Sequence, residues 1–412
     1  MKLNITLLLN LLFLCLISCN KDDEPTTVIV DDFITEINEF PESNQVIGTI
    51  QTSPSNGNST YTVTSQSPVD AFSINPKTGE LKVLDKSKFN FAINPVIVGT
   101  IEVRNGDNLV YSSVTINVKD VERVFDGSIT VETQTQLDDF GEKYYDRING
   151  DVYLSGKNIV STNSLNSIKF INGYILILGT NLKNVDGFSN ANLADGTVIQ
   201  IVNNQLLENL NGLQSVTAKL MNLEIYNNPK INNIDGLENI TSVTDKIVIS
   251  DTENLENLNG LSGINNPVKM LSIRNNIGLI DTNGLSNIPK ITMSFQFTNN
   301  DLVASLNNMS NLKEINRFFL DRNAGLKNID GLSKLETCLE LVIQNNVSLQ
   351  NLNGLINLKK VNYGYMRITD NTSLRDFCGL SLIASTSTVG YNIRDNYYNP
   401  TKDDIKNGNC SL

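Results

Sequence analysis

Six residues between positions 224 and 367 have side chains suited to binding or transforming a ligand. The aromatic members can stack on a sugar ring or an apolar side chain, and the arginines can donate paired hydrogen bonds. Their spacing places them in two rows on the outward side of a predicted sheet. We therefore predict a binding surface for a protein or a glycan, with a merely solvated face as the alternative. The candidate ligand-binding residues are Glu224, Tyr226, Arg274, Phe319, Asp321 and Arg367.

The spacing of the two acids argues against glycoside hydrolysis. Glu224 and Asp321 are four repeats apart, which corresponds to about 19 Å across a parallel sheet. A hydrolase needs its two carboxyl groups within about 5–10 Å of each other. The chain has no histidine, which removes Ser-His-Asp, Cys-His and histidine-based metal centres. We predict no catalytic residues and no enzyme, and a polysaccharide-degrading solenoid is the less favoured alternative.

A repeated phrase positions these side chains. Asn351–Leu355 reads Asn-Leu-Asn-Gly-Leu, and the phrase returns in identical or similar form at intervals of 23–25 residues. Each repeat also carries two apolar residues two positions apart, such as Leu271 and Ile273, which is the period of a strand with one face inward. A fixed interval of this length predicts a solenoid, here of about nine to ten coils. The marker glycines are at 187, 212, 236, 260, 284, 331, 354 and 379.

Asparagine recurs three residues after the second inward strand position. A buried asparagine at a tight corner can bond to backbone groups and to the next asparagine of the stack. Recurrence once per coil favours a structural ladder over polar ligands for a metal or sugar. The predicted rungs are Asn204, Asn228, Asn276, Asn300, Asn323, Asn346 and Asn371, with Thr252 at the remaining rung.

The repeat unit of strand, asparagine, turn and Gly-Leu resembles the receptor L-domain family. That resemblance implies a right-handed, leucine-rich-like β-solenoid over 125–390 with an N-terminal cap, and ligand binding without identifying the ligand. The tail, 391–412, is similar to the closing segment of bacterial L-domain lipoproteins. This likeness implies a Cys378–Cys410 disulfide that holds the tail on the last coil, and leaves Cys338 as a small buried residue.

The segment 33–124 predicts a β-sandwich from short alternating runs between turn residues. Phe72–Leu81 carries its resemblance to a cadherin-like domain. That family binds calcium through carboxylates, and Glu42, Asp85 and Asp120 occupy matching positions. Ser87 replaces a further acid, so no cofactor is the main expectation, with calcium or solvated surface acids as the open readings. The fold class expected for the whole chain is therefore all-β dominated.

The chain begins with an apolar run typical of a signal peptide over 1–18. Leu16-Ile17-Ser18-Cys19 resembles a bacterial lipobox, which implies lipidation of Cys19 and a membrane partner. Residues 19–32 read as an acidic tether similar to an export signal of surface lipoproteins. We expect an outer-membrane anchor facing the exterior, with the periplasmic side as the alternative.

The net charge bears on the partners of the chain. A value of −12 without a basic cluster disfavours nucleic acid. These features predict a surface binding or adhesion protein that is not catalytic. A structural or accessory subunit of an outer-membrane complex is the alternative.

Overall fold

The computed structural model describes residues 27–53, 58–361, 365–386 and 390–412. The predicted signal peptide and Cys19 lie outside these ranges. Contacts within the chain separate two compact units, with the boundary between Val121 and Glu122. Within the described ranges, no helix has the length and apolarity required to span a bilayer.

The first unit is a β-sandwich of a four-stranded and a three-stranded sheet around one core. The strand orders are β2-β9-β8-β5 and β3-β7-β6, and β1 pairs with β4. Inward residues alternate along the strands, and Phe72, Leu81 and Ile116 are almost fully buried. The strands are β1 Ile29–Val30, β2 Phe33–Asn38, β3 Val46–Thr49, β4 Thr52–Ser53, β5 Thr60–Ser67, β6 Phe72–Ile74, β7 Glu80–Val83, β8 Val96–Asn105 and β9 Asn108–Lys119.

The second unit is a β-solenoid built on a sheet of twelve parallel strands. Each strand directs two apolar side chains inward, and these stack on the same positions of the neighbouring coils. The strands of this sheet are β11 Ile129–Thr133, β13 Val152–Asn158, β15 Ile175–Leu178, β17 Val198–Val202, β18 Lys219–Tyr226, β19 Ser242–Ser250, β20 Val268–Arg274, β21 Lys290–Thr298, β22 Glu314–Asp321, β23 Thr337–Gln344, β24 Tyr365–Thr369 and β25 Gly390–Arg394.

A second parallel sheet of four short strands runs along the first coils, in the order β10-β12-β14-β16. Three short helices complete the described part of the unit. These elements are β10 Val124–Phe125, β12 Arg147–Ile148, β14 Phe170–Ile171, β16 Asn192–Leu193, α1 Gln134–Gly141, α2 Ser381–Thr386 and α3 Lys402–Lys406.

The main sheet extends one strand beyond the repeat at each end. Ile129 and Val131 supply the inward pair of β11, in a segment predicted as a cap, and Tyr391 and Ile393 supply it in β25. Both segments lack the Asn-Gly-Leu phrase, so the repeat did not reveal them. In the segment predicted as a cap, α1 follows β11 directly, begins at a capping box at Thr133 and buries Leu137 in the solenoid core.

Glycine recurs in the return segment because neighbouring coils touch there. A Cβ atom on Gly236 would lie 2.0 Å from the carbonyl oxygen of Leu210 in the preceding coil. Asn308 stands at the equivalent place in one coil, and that coil has no 3₁₀ turn among the described elements. The single 3₁₀ turns of the solenoid are Asn163–Leu165, Asp186–Phe188, Asn211–Leu213, Asp235–Leu237, Asn259–Leu261, Asn283–Leu285, Asp330–Leu332, Asn353–Leu355 and Cys378–Leu380, and Lys86–Lys88 forms one in the first unit.

The predicted asparagine ladder is confirmed. The Asn300 side chain is fully buried, its Oδ1 accepts from the Asn276 backbone N–H at 3.2 Å, and its Nδ2 donates to the Ile273 carbonyl at 3.0 Å. Thr252 hydroxyl donates to Asn276 Oδ1 at the exceptional rung. The ladder also continues to Asn396 beyond the predicted rungs.

A residue with a left-handed backbone conformation precedes each ladder position from Asn204 to Asn396. This conformation turns the chain so that the following side chain lies inside the corner of the coil. Asn and Asp tolerate this conformation and occupy it in all of these coils except one, where Arg322 has a φ of 53°.

The C-terminal segment closes the last coil. Cys378 and Cys410 form the expected disulfide, and Ile405 of α3 is buried against the solenoid core. Cys338 is buried as expected, and burial raises the pKa of its thiol to about 12.

Candidate ligand-binding face

The outward face of the main sheet carries three rows of side chains. The strand register confirms the two predicted rows, in which Glu224 and Tyr226 align with Val248 and Ser250 and so on along the sheet. A third row consists of the residue two positions before the row that runs from Gln200 to Arg367 in each strand, and it was not predicted from the sequence. From β17 to β24 its members are Val198, Asn222, Lys246, Met270, Ser294, Arg317, Glu340 and Tyr365.

The six predicted ligand residues all lie on this face, but the structure does not gather them. Tyr226 is on β18 and Arg367 is on β24, six strand spacings away, which corresponds to about 29 Å. Arg274 is exposed, whereas Tyr226, Phe319 and Arg367 are half-buried. The six residues are therefore spread over most of the sheet and do not form one small site.

The two acids have separate ion partners. Glu224 is buried, and its Oε1 lies 2.9 Å from Lys246 Nζ on the next strand. Asp321 pairs with Arg322 at 3.1 Å and accepts from Asn345 Nδ2 at 2.9 Å. Four strand spacings, about 19 Å, separate β18 from β22, so these carboxylates do not face a common bond.

An apolar cluster occupies the first coils of the face. Leu176 and Leu178 point outward, because Ile175 and Ile177 of the same strand fill the core. We call this cluster the tyrosine patch. It lies on the adjacent strands β13, β15, β17 and β18, and Tyr174 immediately precedes β15. Its members are Tyr153, Tyr174, Leu176, Leu178, Val202 and Tyr226, and of these Tyr226 was among the predicted ligand residues.

Asp151 holds two members of the tyrosine patch. Tyr153 donates its hydroxyl proton to Asp151 Oδ2 at 2.6 Å, and this bond raises the pKa of Tyr153. The backbone N–H of Tyr174 donates to the other carboxylate oxygen at 2.8 Å. Tyr174 remains 44% exposed, so an aromatic ring is held at the surface beside two leucines. Rigid aromatic and aliphatic groups with a polar tip are the components of a recognition surface.

The sequence contained one signal for the patch. Ile175–Leu178 is a run of four apolar residues, in place of the alternation expected for a strand with a solvated face. Two of its residues must therefore face outward.

The structure shows the surroundings of the three candidate calcium residues. Asp85 caps the turn at Ser87, accepting from its N–H at 2.9 Å and its hydroxyl at 2.7 Å, and these bonds lower the pKa of Asp85. Glu42 and Asp120 are exposed. Within the part of the chain that the structure describes, no three His, Cys, Asp or Glu side chains are placed to hold a metal ion.

Comparisons with known proteins return structures of cadherin domains. Protocadherin Gamma B2 extracellular cadherin domains 3-6 match with 14% identity over 23% of each chain and a TM-score of 0.21. Drosophila N-cadherin EC1-4 matches with 19% identity, 26% of this chain, 29% of that chain and a TM-score of 0.21. The third cadherin domain of human protocadherin 7 matches with 15% identity, 23% of this chain, 87% of that chain and a TM-score of 0.20. The chain thus spans under a third of the length of the first two. No family model and no curated protein matches the sequence.

Proposed function

We propose that the chain is a non-catalytic binding or adhesion protein whose solenoid sheet recognises a protein or glycan. The tyrosine patch carries this proposal. Leu176 and Leu178 face outward on a sheet whose inner side is already filled by its own core. Apolar groups held at a surface beside a half-exposed aromatic ring mark a contact surface. Contact of these apolar groups with water is unfavourable, so binding of a ligand that covers them is favoured by the hydrophobic effect.

The acids of the face support binding over catalysis. A hydrolytic site requires one carboxyl group that is protonated and a second that is ionised at a short distance. Glu224 and Asp321 each have a cationic partner and lie on different parts of the sheet.

The test uses the purified chain without residues 1–18, screened against a glycan array and a library of random peptides. The double variant Leu176→Ser, Leu178→Ser should lose at least tenfold in affinity for recovered ligands whose binding is unchanged by Arg367→Gln, because two apolar contacts are removed. Its thermal midpoint should stay near that of wild type, since both side chains point away from the core.

The matched control places the same two changes off the sheet. Ile280 and Leu302 are 58% and 55% exposed on the turn side of the solenoid, so Ile280→Ser with Leu302→Ser should bind like wild type. Equal losses in both double variants, or a loss in the control alone, would move the binding site off the sheet face.

We further propose that Cys19 is lipidated and displays the protein on the outer face of the outer membrane. The lipobox-like residues before Cys19 and the acidic residues after it support this placement. Protease treatment of intact cells should remove the solenoid while periplasmic controls survive, and Cys19→Ala should release the protein from the membrane fraction. Full protection of the solenoid would place it in the periplasm.

A further inference from the structure

The middle row of the sheet face contains, near its C-terminal end, an arginine that has no ion partner among the described residues. Arg367 is half-buried on β24, and its Nε atom is buried with no hydrogen-bond partner among the described residues. The neighbouring positions of the same row are Val342 and Asn392, neither of which is acidic. Leaving part of a guanidinium group without a partner in a buried position is unfavourable, and such a group requires an explanation.

The other charged groups at this end of the face are already paired. Glu340 on β23, whose register partner is Tyr365, lies 3.5 Å from Arg317, and Arg394 on β25 pairs with Asp395. The buried acid of the same row, Glu224, has Lys246 at 2.9 Å. Arg367 therefore differs from Glu224, the buried charge of its row, in having no opposite charge within the described structure. A ligand carboxylate that contacts the accessible part of the guanidinium group would supply that charge.

Two apolar side chains adjoin this arginine on the face. Val342, which is only 6% exposed, lies one strand spacing away in the same row, and the half-buried Phe319 lies two spacings away, which correspond to about 5 and 10 Å. Side chains one to three residues apart in an extended peptide are separated by similar distances. An acidic residue and a nearby bulky apolar residue of one peptide could therefore contact Arg367, Val342 and Phe319 together.

We propose that Arg367, Val342 and Phe319 form a subsite for an acidic peptide segment of a partner protein. In this segment an Asp or Glu carboxylate accepts hydrogen bonds from the guanidinium group, and an apolar side chain one to three residues away covers Val342 and Phe319. The inference rests on the proposed role of the sheet face, and it assigns the ligand chemistry of one end of that face.

The test selects peptide ligands from random sequences. The chain without residues 1–18 is screened against a phage-displayed library of random 12-residue peptides. The wild type should enrich peptides with Asp or Glu within three residues of Phe, Leu, Ile or Val. Changing that acid to its amide in a synthetic copy of the peptide should weaken binding at least tenfold, and Arg367→Gln should do the same.

A double-mutant cycle then assigns the loss to one contact. The amide peptide should bind wild type and Arg367→Gln equally weakly, because both changes remove the same interaction. Arg375→Gln is the matched control, since Arg375 is exposed in the same coil but lies outside the strands of the main sheet, and it should bind the acidic peptide like wild type. Arg367→Met keeps the apolar stem, so it provides a second variant if Arg367→Gln lowers the thermal midpoint.

Three outcomes would overturn the subsite. They are enrichment of peptides without acids, unchanged binding to both Arg367 variants, or Arg367-dependent binding of polygalacturonate with no peptide selected. If selected peptides lose binding with Leu176→Ser, Leu178→Ser but not with Arg367→Gln, the proposed function stands and this subsite fails. If no ligand responds to a change on the sheet face, both fail.

Discussion

Replacing Asn300 by alanine tests how the solenoid holds its coils together. The substitution leaves the buried Asn276 N–H without its acceptor and the Ile273 carbonyl without the donor at 3.0 Å. The substitution does not leave the Thr298 carbonyl without a donor, because the Asn275 N–H still donates to it at 3.0 Å. A buried donor without a partner costs about 1–3 kcal/mol, and the lost carbonyl bond adds to this. We expect a loss of about 2–4 kcal/mol in the free energy of unfolding.

Equilibrium urea unfolding followed by circular dichroism measures this loss, since the chain has no tryptophan for fluorescence. Asn299→Gly is the matched control one residue away. It removes a side chain that bonds to Asn275 Oδ1 at 2.8 Å outside the buried ladder, and glycine keeps the left-handed backbone, where φ is 54°. The control should lose less than about 1 kcal/mol. Equal losses in the two variants, or a loss below about 0.5 kcal/mol for Asn300→Ala, would refute the account of the ladder.

Three further predictions concern stability, each measured by urea unfolding. Thr252→Asn should stabilise the chain by about 1 kcal/mol, because an amide at this rung can donate to the Ile225 carbonyl, and a destabilised variant would show that the rung has no room for it. Arg322→Asn should add about 0.5–1 kcal/mol by relieving an unfavourable left-handed residue, whereas no gain would mean that the pair with Asp321 offsets the relief. Burial raises the pKa of Tyr391 from its ordinary 10.0 to about 12, so wild type should lose stability as the pH rises from about 10 to about 12. Tyr391→Phe should lack that part of the loss, and identical pH profiles would contradict the shift.

The sequence predicted the solenoid well because the repeat is a direct consequence of coil contacts. Gly236 cannot carry a Cβ atom beneath Leu210, and Asn300 must reach the coils on either side, so both residue types recur once per coil. The terminal strands β11 and β25 are harder to predict. A terminal coil contacts a neighbouring coil on one side only, so fewer of its positions require glycine or asparagine.

The candidate site was less predictable for a related reason. Outward residues do not contact the core, so the repeat does not determine their types. Their positions follow from the register, as the alignment of Glu224 with Val248 shows. Whether two outward residues can contact the same ligand depends on the number of strands between them. Tyr226 and Arg367 are too many strands apart to do so in one small site. Tyr153 and Leu176 were missed because their coils lie before the rows that the regular phrases defined.

Oxidative footprinting with a bound ligand tests the central claim, that the sheet face is the contact surface, most directly. The chain without residues 1–18 is exposed to hydroxyl radicals with and without the tightest ligand whose affinity falls in the Leu176→Ser, Leu178→Ser variant, and tyrosine oxidation is read by mass spectrometry. We predict protection of Tyr174 and Tyr226. Tyr111, which belongs to the first unit and is 55% exposed, and Tyr397, which is 60% exposed outside the strands of the sheet, should be oxidised as before. Protection of Tyr111 or Tyr397 with unchanged oxidation of Tyr174 and Tyr226 would contradict the account.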